Sequence, residues 1–113
     1  MARLTTHILD TARGRPAADV AVRVFVIGRE RVELASARTN RDGRTDGALL
    51  QDFDTGTYEL EFDVGPYFDP ETPAASEPPF LDTVIIRVNL TAGEHYHVPL
   101  LASPWSYSTY RGS

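Results

Sequence analysis

Three histidines are the side chains of this 113-residue sequence best suited to move protons near neutral pH: His7, His95 and His97. Two of them lie in the final stretch, His95 to Ser113. That stretch also holds the only tryptophan, Trp105, and three of the five tyrosines, Tyr96, Tyr107 and Tyr110. Flexible tails are poor in such residues, so this end of the chain reads as packed structure. Alternate side chains of a strand share a face. His95 and His97 then point one way, toward water, a cleft or a partner subunit. Tyr96, Val98 and Leu100 point the other way, toward a core. Arg44 directly follows Asn40-Arg41-Asp42-Gly43, whose Asp-Gly pair is turn chemistry that could aim its guanidinium. A single arginine after a turn is more commonly a solvated surface group. His95-x-His97 together with His7 could also form an open three-histidine zinc site. No carboxylate stands where it would obviously support one, and the spacing alone is a weak signal.

What the composition lacks narrows the chemistry further. Cysteine is absent, which excludes disulfides, thiolate metal sites and a cysteine nucleophile. All eleven basic residues are arginine, which excludes a lysine base or Schiff base. No G-x-S-x-G elbow and no phosphate-cradling glycine loop occurs. The net charge of −5 argues against a nucleic-acid partner, because phosphate contacts need clustered positive charge. No run is long and apolar enough to span a bilayer, and the start of the chain lacks a signal-peptide core. The expectation is a single domain over residues 1–113, in a reducing cytoplasm, bound to no membrane.

The elements that must position these residues read as short strands. Leu4 to Leu9 alternates, with Thr5, His7 and Leu9 on one face and Leu4, Thr6 and Ile8 on the other. Val20 to Ile27 is the strongest strand signal, carrying Val20, Val22, Val24 and Val26 on one face. Arg31 to Arg38 should place Val32 and Leu34 inward. Thr57 to Val64 points Tyr58, Leu60, Phe62 and Val64 inward, and Leu81 to Leu90 does so with Val84, Ile86, Val88 and Leu90. Gly65 to Asp82 contains five of the eight prolines and is expected to be a long loop, with one helical turn near Pro66 to Asp69. Pro99 should make the strand from His95 irregular, Pro104 should break it, and Ser106 to Arg111 can form a last strand. The pattern predicts an all-β fold, an antiparallel β-sandwich of about eight short strands with one short helix. Its edge strands would invite pairing between subunits.

Periodicity and spacing stop at a sandwich that carries an unassigned group of His, Arg, Tyr and Ser. Three segments carry a more specific signal: Leu4-Thr5-Thr6-His7-Ile8-Leu9-Asp10, Thr39-Asn40-Arg41-Asp42-Gly43-Arg44, and His95-Tyr96-His97-Val98-Pro99-Leu100-Leu101 running on to Tyr107-Ser108-Thr109-Tyr110-Arg111-Gly112-Ser113. In order and over essentially the whole chain, they resemble the 5-hydroxyisourate hydrolases, the transthyretin-related family of purine breakdown. Gly56-Thr57-Tyr58 and Gly65-Pro66-Tyr67-Phe68 fit as well. The terminal Tyr-Arg-Gly-Ser is the most specific piece, and it separates the hydrolases from the hormone carrier transthyretin.

The resemblance implies a transthyretin-like sandwich assembled as a homotetramer, a dimer of dimers, with active sites between dimers and no metal or organic cofactor. It implies His7, Arg44, His97 and Ser113 as the catalytic set, and His7, Arg44 and Tyr110 as substrate-binding residues. The reaction it implies is hydrolysis of 5-hydroxyisourate to 2-oxo-4-hydroxy-4-carboxy-5-ureidoimidazoline in urate degradation. Such ring opening needs a base for water, a cation for the developing oxyanion and a proton donor for the leaving nitrogen. An imidazole near Arg44 would stay neutral, since a like charge disfavours imidazolium, and neutral imidazole can deprotonate water. Either His7 or His97 fits as that base, with Arg44 polarising the carbonyl and Ser113 relaying protons. Three other readings compete. A transthyretin-like carrier without catalysis is disfavoured by polar groups in an apolar channel. A metal-dependent hydrolase would use the three histidines. An adhesion sandwich outside the cell fits poorly with a chain that lacks cysteine.

Overall fold

In the computed structural model, which describes residues 2–68 and 78–112, the first apolar segment is not one strand. It divides into β1 (Arg3–Thr5) and β2 (Ile8–Asp10). After them come β3 (Arg15–Pro16), β4 (Ala21–Ile27), β5 (Arg31–Arg38), β6 (Leu50–Gln51) and β7 (Gly56–Asp63). A short helix, α1 (Val64–Phe68), precedes β8 (Thr83–Leu90), β9 (His95–His97), β10 (Leu100–Ala102) and β11 (Tyr107–Thr109). The helical turn lies where the proline-rich segment was expected to hold one, and Asp69 to Glu77 of that loop lie outside the described residues.

The split in the first strand has a local cause. β1 runs parallel to β9, with Thr5 opposite His97, and β2 runs parallel to β10, with Ile8 opposite Leu100. The two registers have the same offset, so this is one ladder with a gap. Pro99 sits at the gap and has no N–H to donate. There the Thr6 hydroxyl donates to the Val98 carbonyl at 2.7 Å. Alternation survives the break: Leu4, Thr6 and Ile8 are buried, whereas Thr5, His7 and Leu9 are half-buried on the opposite face. β1 also pairs with β6, β2 with β3, and β10 with β11, all antiparallel. Together these strands form one layer of the sandwich.

The other layer is an antiparallel sheet in the order β5-β4-β7-β8. Val22, Val24, Leu60, Phe62, Val84 and Leu90 from this sheet meet Leu4, Ile8, Val98 and Leu100 from the first in a single buried cluster. One expectation fails here. Val32 and Leu34 are 49% and 47% exposed rather than inward. β5 is an edge strand, and its register against β4 shifts between Val24 and Phe25, with Leu34 as the unmatched residue. Such a bulge reverses the alternation, so Ala35 and Ala37 fall opposite Val24 and Val22.

Asp10 ties the two layers' connections together from a fully covered position. Its carboxylate accepts the N–H groups of Ala12 and Arg13 at 3.0 Å each, the Tyr67 hydroxyl at 2.8 Å and the Arg13 guanidinium at 2.6 Å. Burial pushes this carboxyl up, but the bonds from Tyr67 and Arg13 outweigh it and hold it below the usual range. The helix is thereby fastened to the end of β2, three residues beyond His7.

Candidate active site

The site lies on the outward face of the layer built from β1, β2, β9, β10 and β11. His97 ends β9. Its backbone is held on one side by β1 and on the other by Gly112, with Gly112 N–H donating to the His97 carbonyl at 2.6 Å and His97 N–H to the Gly112 carbonyl at 3.1 Å. This pair keeps the register of β10 with β11, so the tail continues the same ladder past Thr109. A β-carbon at Gly112 would stand 3.0 Å from the His97 Cβ and 3.2 Å from its Cδ2. A side chain there would push the imidazole or the tail aside by a few tenths of an ångström, so glycine suits this close approach.

His7 lies in the gap between β1 and β2 and pairs with Arg44 across an isolated antiparallel bridge. Arg44 is placed by the turn before it. Asn40 Oδ1 accepts the N–H groups of Asp42 at 2.9 Å and Arg44 at 3.3 Å, and the Asn40 N–H donates to the Arg44 carbonyl at 2.7 Å. Gly43 has φ +74°, and a side chain there would overlap the Ile8 carbonyl oxygen. The turn can therefore dock on β2, where Ile8 N–H donates to the Gly43 carbonyl at 2.8 Å. His7 Nε2 donates to the Asp42 carbonyl at 2.8 Å, so its proton is on that nitrogen.

The side chains of Thr5, His7 and His97 share one face by the pleat, with His7 diagonal to His97 across the parallel ladder. The His97 ring is half-buried, and Nδ1 lies 2.9 Å from the Thr5 hydroxyl. Burial lowers its proton affinity first, and the positive charges of Arg44 and His7 lower it further. These effects favour the neutral imidazole, and Nε2 is unbonded among the described residues. The expected grouping of His7, Arg44 and His97 is thus present within one chain.

Other expected site residues fare differently. Ser113 lies outside the described residues, although Gly112 before it is bonded to His97. Tyr110 falls opposite Pro99 by register, which assigns it to the face of Gly112 and His97. It is 60% exposed, borders a hollow of about 380 Å³ along β8, and makes no hydrogen bond to His7, Arg44 or His97. His95 is exposed and opposite Arg3. No group of three His, Asp or Glu side chains among the described residues is arranged to hold a metal ion, so the three-histidine site does not form. Two contributors escaped the sequence reading: the Asp42 carbonyl and the Thr5 hydroxyl. The alternation did put Thr5 on the face of His7. The parallel pairing of the first and ninth strands, which sets Thr5 beside His97, left no mark in the sequence.

Residues 4–112 match the model of the HIUase/Transthyretin family. A 5-hydroxyisourate hydrolase of Deinococcus radiodurans is 55% identical over 97% of this chain and 95% of its own length. The structure of Klebsiella pneumoniae 5-hydroxyisourate hydrolase superposes with a TM-score of 0.83 at 32% identity, covering all of both chains. Sea bream transthyretin in complex with thyroxine superposes with a TM-score of 0.86 at 28% identity, covering 97% of this chain and 94% of that one.

Proposed function

Since the chain belongs to the HIUase/Transthyretin family, we propose that it hydrolyses 5-hydroxyisourate to 2-oxo-4-hydroxy-4-carboxy-5-ureidoimidazoline, with His97 as the base that activates water. The observation that carries the assignment is the half-buried His97 ring, held by the Thr5 hydroxyl at Nδ1, with burial, Arg44 and His7 all lowering its proton affinity. Nε2 takes a proton from water as the water oxygen bonds to the ring carbonyl carbon. Arg44 faces the oxygen on which negative charge develops. The ring C–N bond then breaks, and the proton passes from His97 to the departing nitrogen, leaving a carboxylate and a ureido group. The Asp42 carbonyl holds the Nε2–H of His7, so His7 could act as a base only through Nδ1. Its role is to bind the substrate and fix the turn that carries Arg44. Ser113 relays protons and Tyr110 contacts the planar substrate. No step calls for a metal or organic cofactor.

The same reading places the chain in a homotetramer in the cytoplasm. The outward face that bears the histidines and Arg44 is open in one chain, and a facing subunit would enclose substrate there. Large apolar groups near the tail, Trp105 and Tyr107, are 73% and 45% exposed. Among the described residues no helix is long and apolar enough to cross a membrane.

The carrier reading draws support from the likeness to thyroxine-bound transthyretin. It predicts binding without turnover, on a face whose two imidazoles and guanidinium suit a polar heterocycle better than an apolar one. Urate oxidase can generate 5-hydroxyisourate in the cuvette, and its ultraviolet absorbance can be followed with and without this protein. Accelerated decay that survives exhaustive chelation is expected, and His97→Ala should slow it by about 10²–10⁴-fold. Decay no faster than the spontaneous rate would leave the carrier reading.

A further inference from the structure

We propose that Thr5 is a positioning residue for the reaction, its hydroxyl accepting the Nδ1–H of His97 so that the lone pair of Nε2 is the one presented to water. This rests on the reading of His97 as the base. The geometry begins with the ladder. β1 and β9 are parallel, and Thr5 is directly opposite His97 on the outward face, so the two side chains are fixed neighbours. Their polar atoms are 2.9 Å apart. Both residues are held from behind: Val98 N–H donates to the Thr5 carbonyl at 2.9 Å, and Gly112 pairs with the His97 backbone. The backbones that carry the two side chains are therefore fixed relative to each other.

A neutral imidazole has one N–H and one lone pair, and the partner of one nitrogen decides which is which. A hydroxyl can serve either tautomer. Here the Thr5 oxygen makes no other hydrogen bond among the described residues, so it is free to accept. With Nδ1 protonated, Nε2 is a base. With the opposite tautomer, Nε2 would be a donor and could not take a proton from water. After proton transfer, the same Nδ1–H···O bond becomes charge-assisted and strengthens, so it favours the imidazolium formed on the way to product. A carboxylate in place of the hydroxyl would orient the ring equally well, but would also favour the imidazolium before substrate arrives. A neutral hydroxyl orients without that effect, in keeping with a ring already kept neutral by burial and by Arg44.

The test compares the unaltered protein with Thr5→Val, which has the same shape and no hydroxyl, and Thr5→Ser, which keeps the hydroxyl. Ring ¹⁵N NMR reads the His97 tautomer, and steady-state kinetics with 5-hydroxyisourate reads kcat and KM separately. The unaltered protein should show His97 with its proton on Nδ1. Thr5→Val should show a mixture of tautomers and a kcat lower by about tenfold with little change in KM, the size expected from one lost hydrogen bond. Thr5→Ser should restore both readings. An Nε2–H tautomer in the unaltered protein would overturn the proposal. So would a Thr5→Val variant with unchanged tautomer and kcat, or a Thr5→Ser variant as impaired as Thr5→Val. If the unaltered protein does not hydrolyse 5-hydroxyisourate, the functional reading falls, and the NMR comparison alone still decides the role of Thr5.

Discussion

Replacing Gly43 by alanine tests whether the turn that carries Arg44 is seated as tightly on β2 as the site requires. Two costs add. The backbone at Gly43 has φ +74°, a left-handed conformation that costs a residue with a β-carbon roughly 1–2 kcal/mol. The new methyl would also overlap the Ile8 carbonyl oxygen, which cannot move freely because it accepts Ala17 N–H at 2.9 Å. Relief requires weakening that bond or the 2.8 Å bond from Ile8 N–H to the Gly43 carbonyl, at about 1 kcal/mol each. The expected loss is about 2–4 kcal/mol, or a melting temperature lower by about 8–16 °C for a domain of this size. Gly14 provides the control. Its φ is +69°, but a β-carbon there meets nothing within 4 Å, so Gly14→Ala should show the backbone cost alone. Displacing the turn also moves Arg44 and the Asp42 carbonyl that holds His7, and misplacement by about 1 Å can cost about a hundredfold in rate. Scanning calorimetry on both variants, with hydrolysis of 5-hydroxyisourate measured well below either melting point, gives the comparison. If Gly43→Ala melts no lower than Gly14→Ala and keeps full turnover, the close seating of the turn has no energetic or catalytic consequence.

Three further outcomes are expected. The acid limb of the pH–rate profile should fall below 6.5, the ordinary imidazole value, because burial, Arg44 and His7 all favour neutral His97; a limb at or above 6.5 would remove His97 as the base. Gly112→Ala should force the tail away from the imidazole and cut turnover by about tenfold or more while the melting temperature shifts little, since the tail that would give way, from Trp105 to Arg111, is exposed; crystal coordinates with the tail undisturbed would contradict this. Because Asp10 is held below the carboxyl value of 3.8, the unfolded chain takes up its proton first as pH falls. The stability it contributes is therefore whole above 3.8 and is lost as pH drops toward the lower folded value. Asp10→Asn should melt lower at neutral pH and show a shallower decline with acid, measured as melting temperature against pH; an equal slope in both proteins would contradict the role of this carboxylate.

The amino-acid order by itself determined the strands and their faces, because alternation is a property of neighbours along the chain. Val22, Val24, Leu60 and Phe62 are inward as their spacing requires, and Thr5, His7 and His97 share the outward face for the same reason. The turn at Asn40 to Arg44 was equally legible, since Asn-x-Asp-Gly chemistry is local. The bulge in β5 was not, because it depends on register against β4; it takes Leu34 out of the pairing, and Val32, although opposite Val26, stays exposed on this edge strand. Strand partners were also beyond reach. Pairing the first strand in parallel with the ninth joins residues more than ninety positions apart, and nothing in either segment specifies the other. That pairing sets the Thr5 hydroxyl against His97, and the docking of Gly43 on Ile8 brings Arg44 to His7. The tertiary structure decided which nitrogen each histidine has free, because that depends on partners supplied by distant backbone.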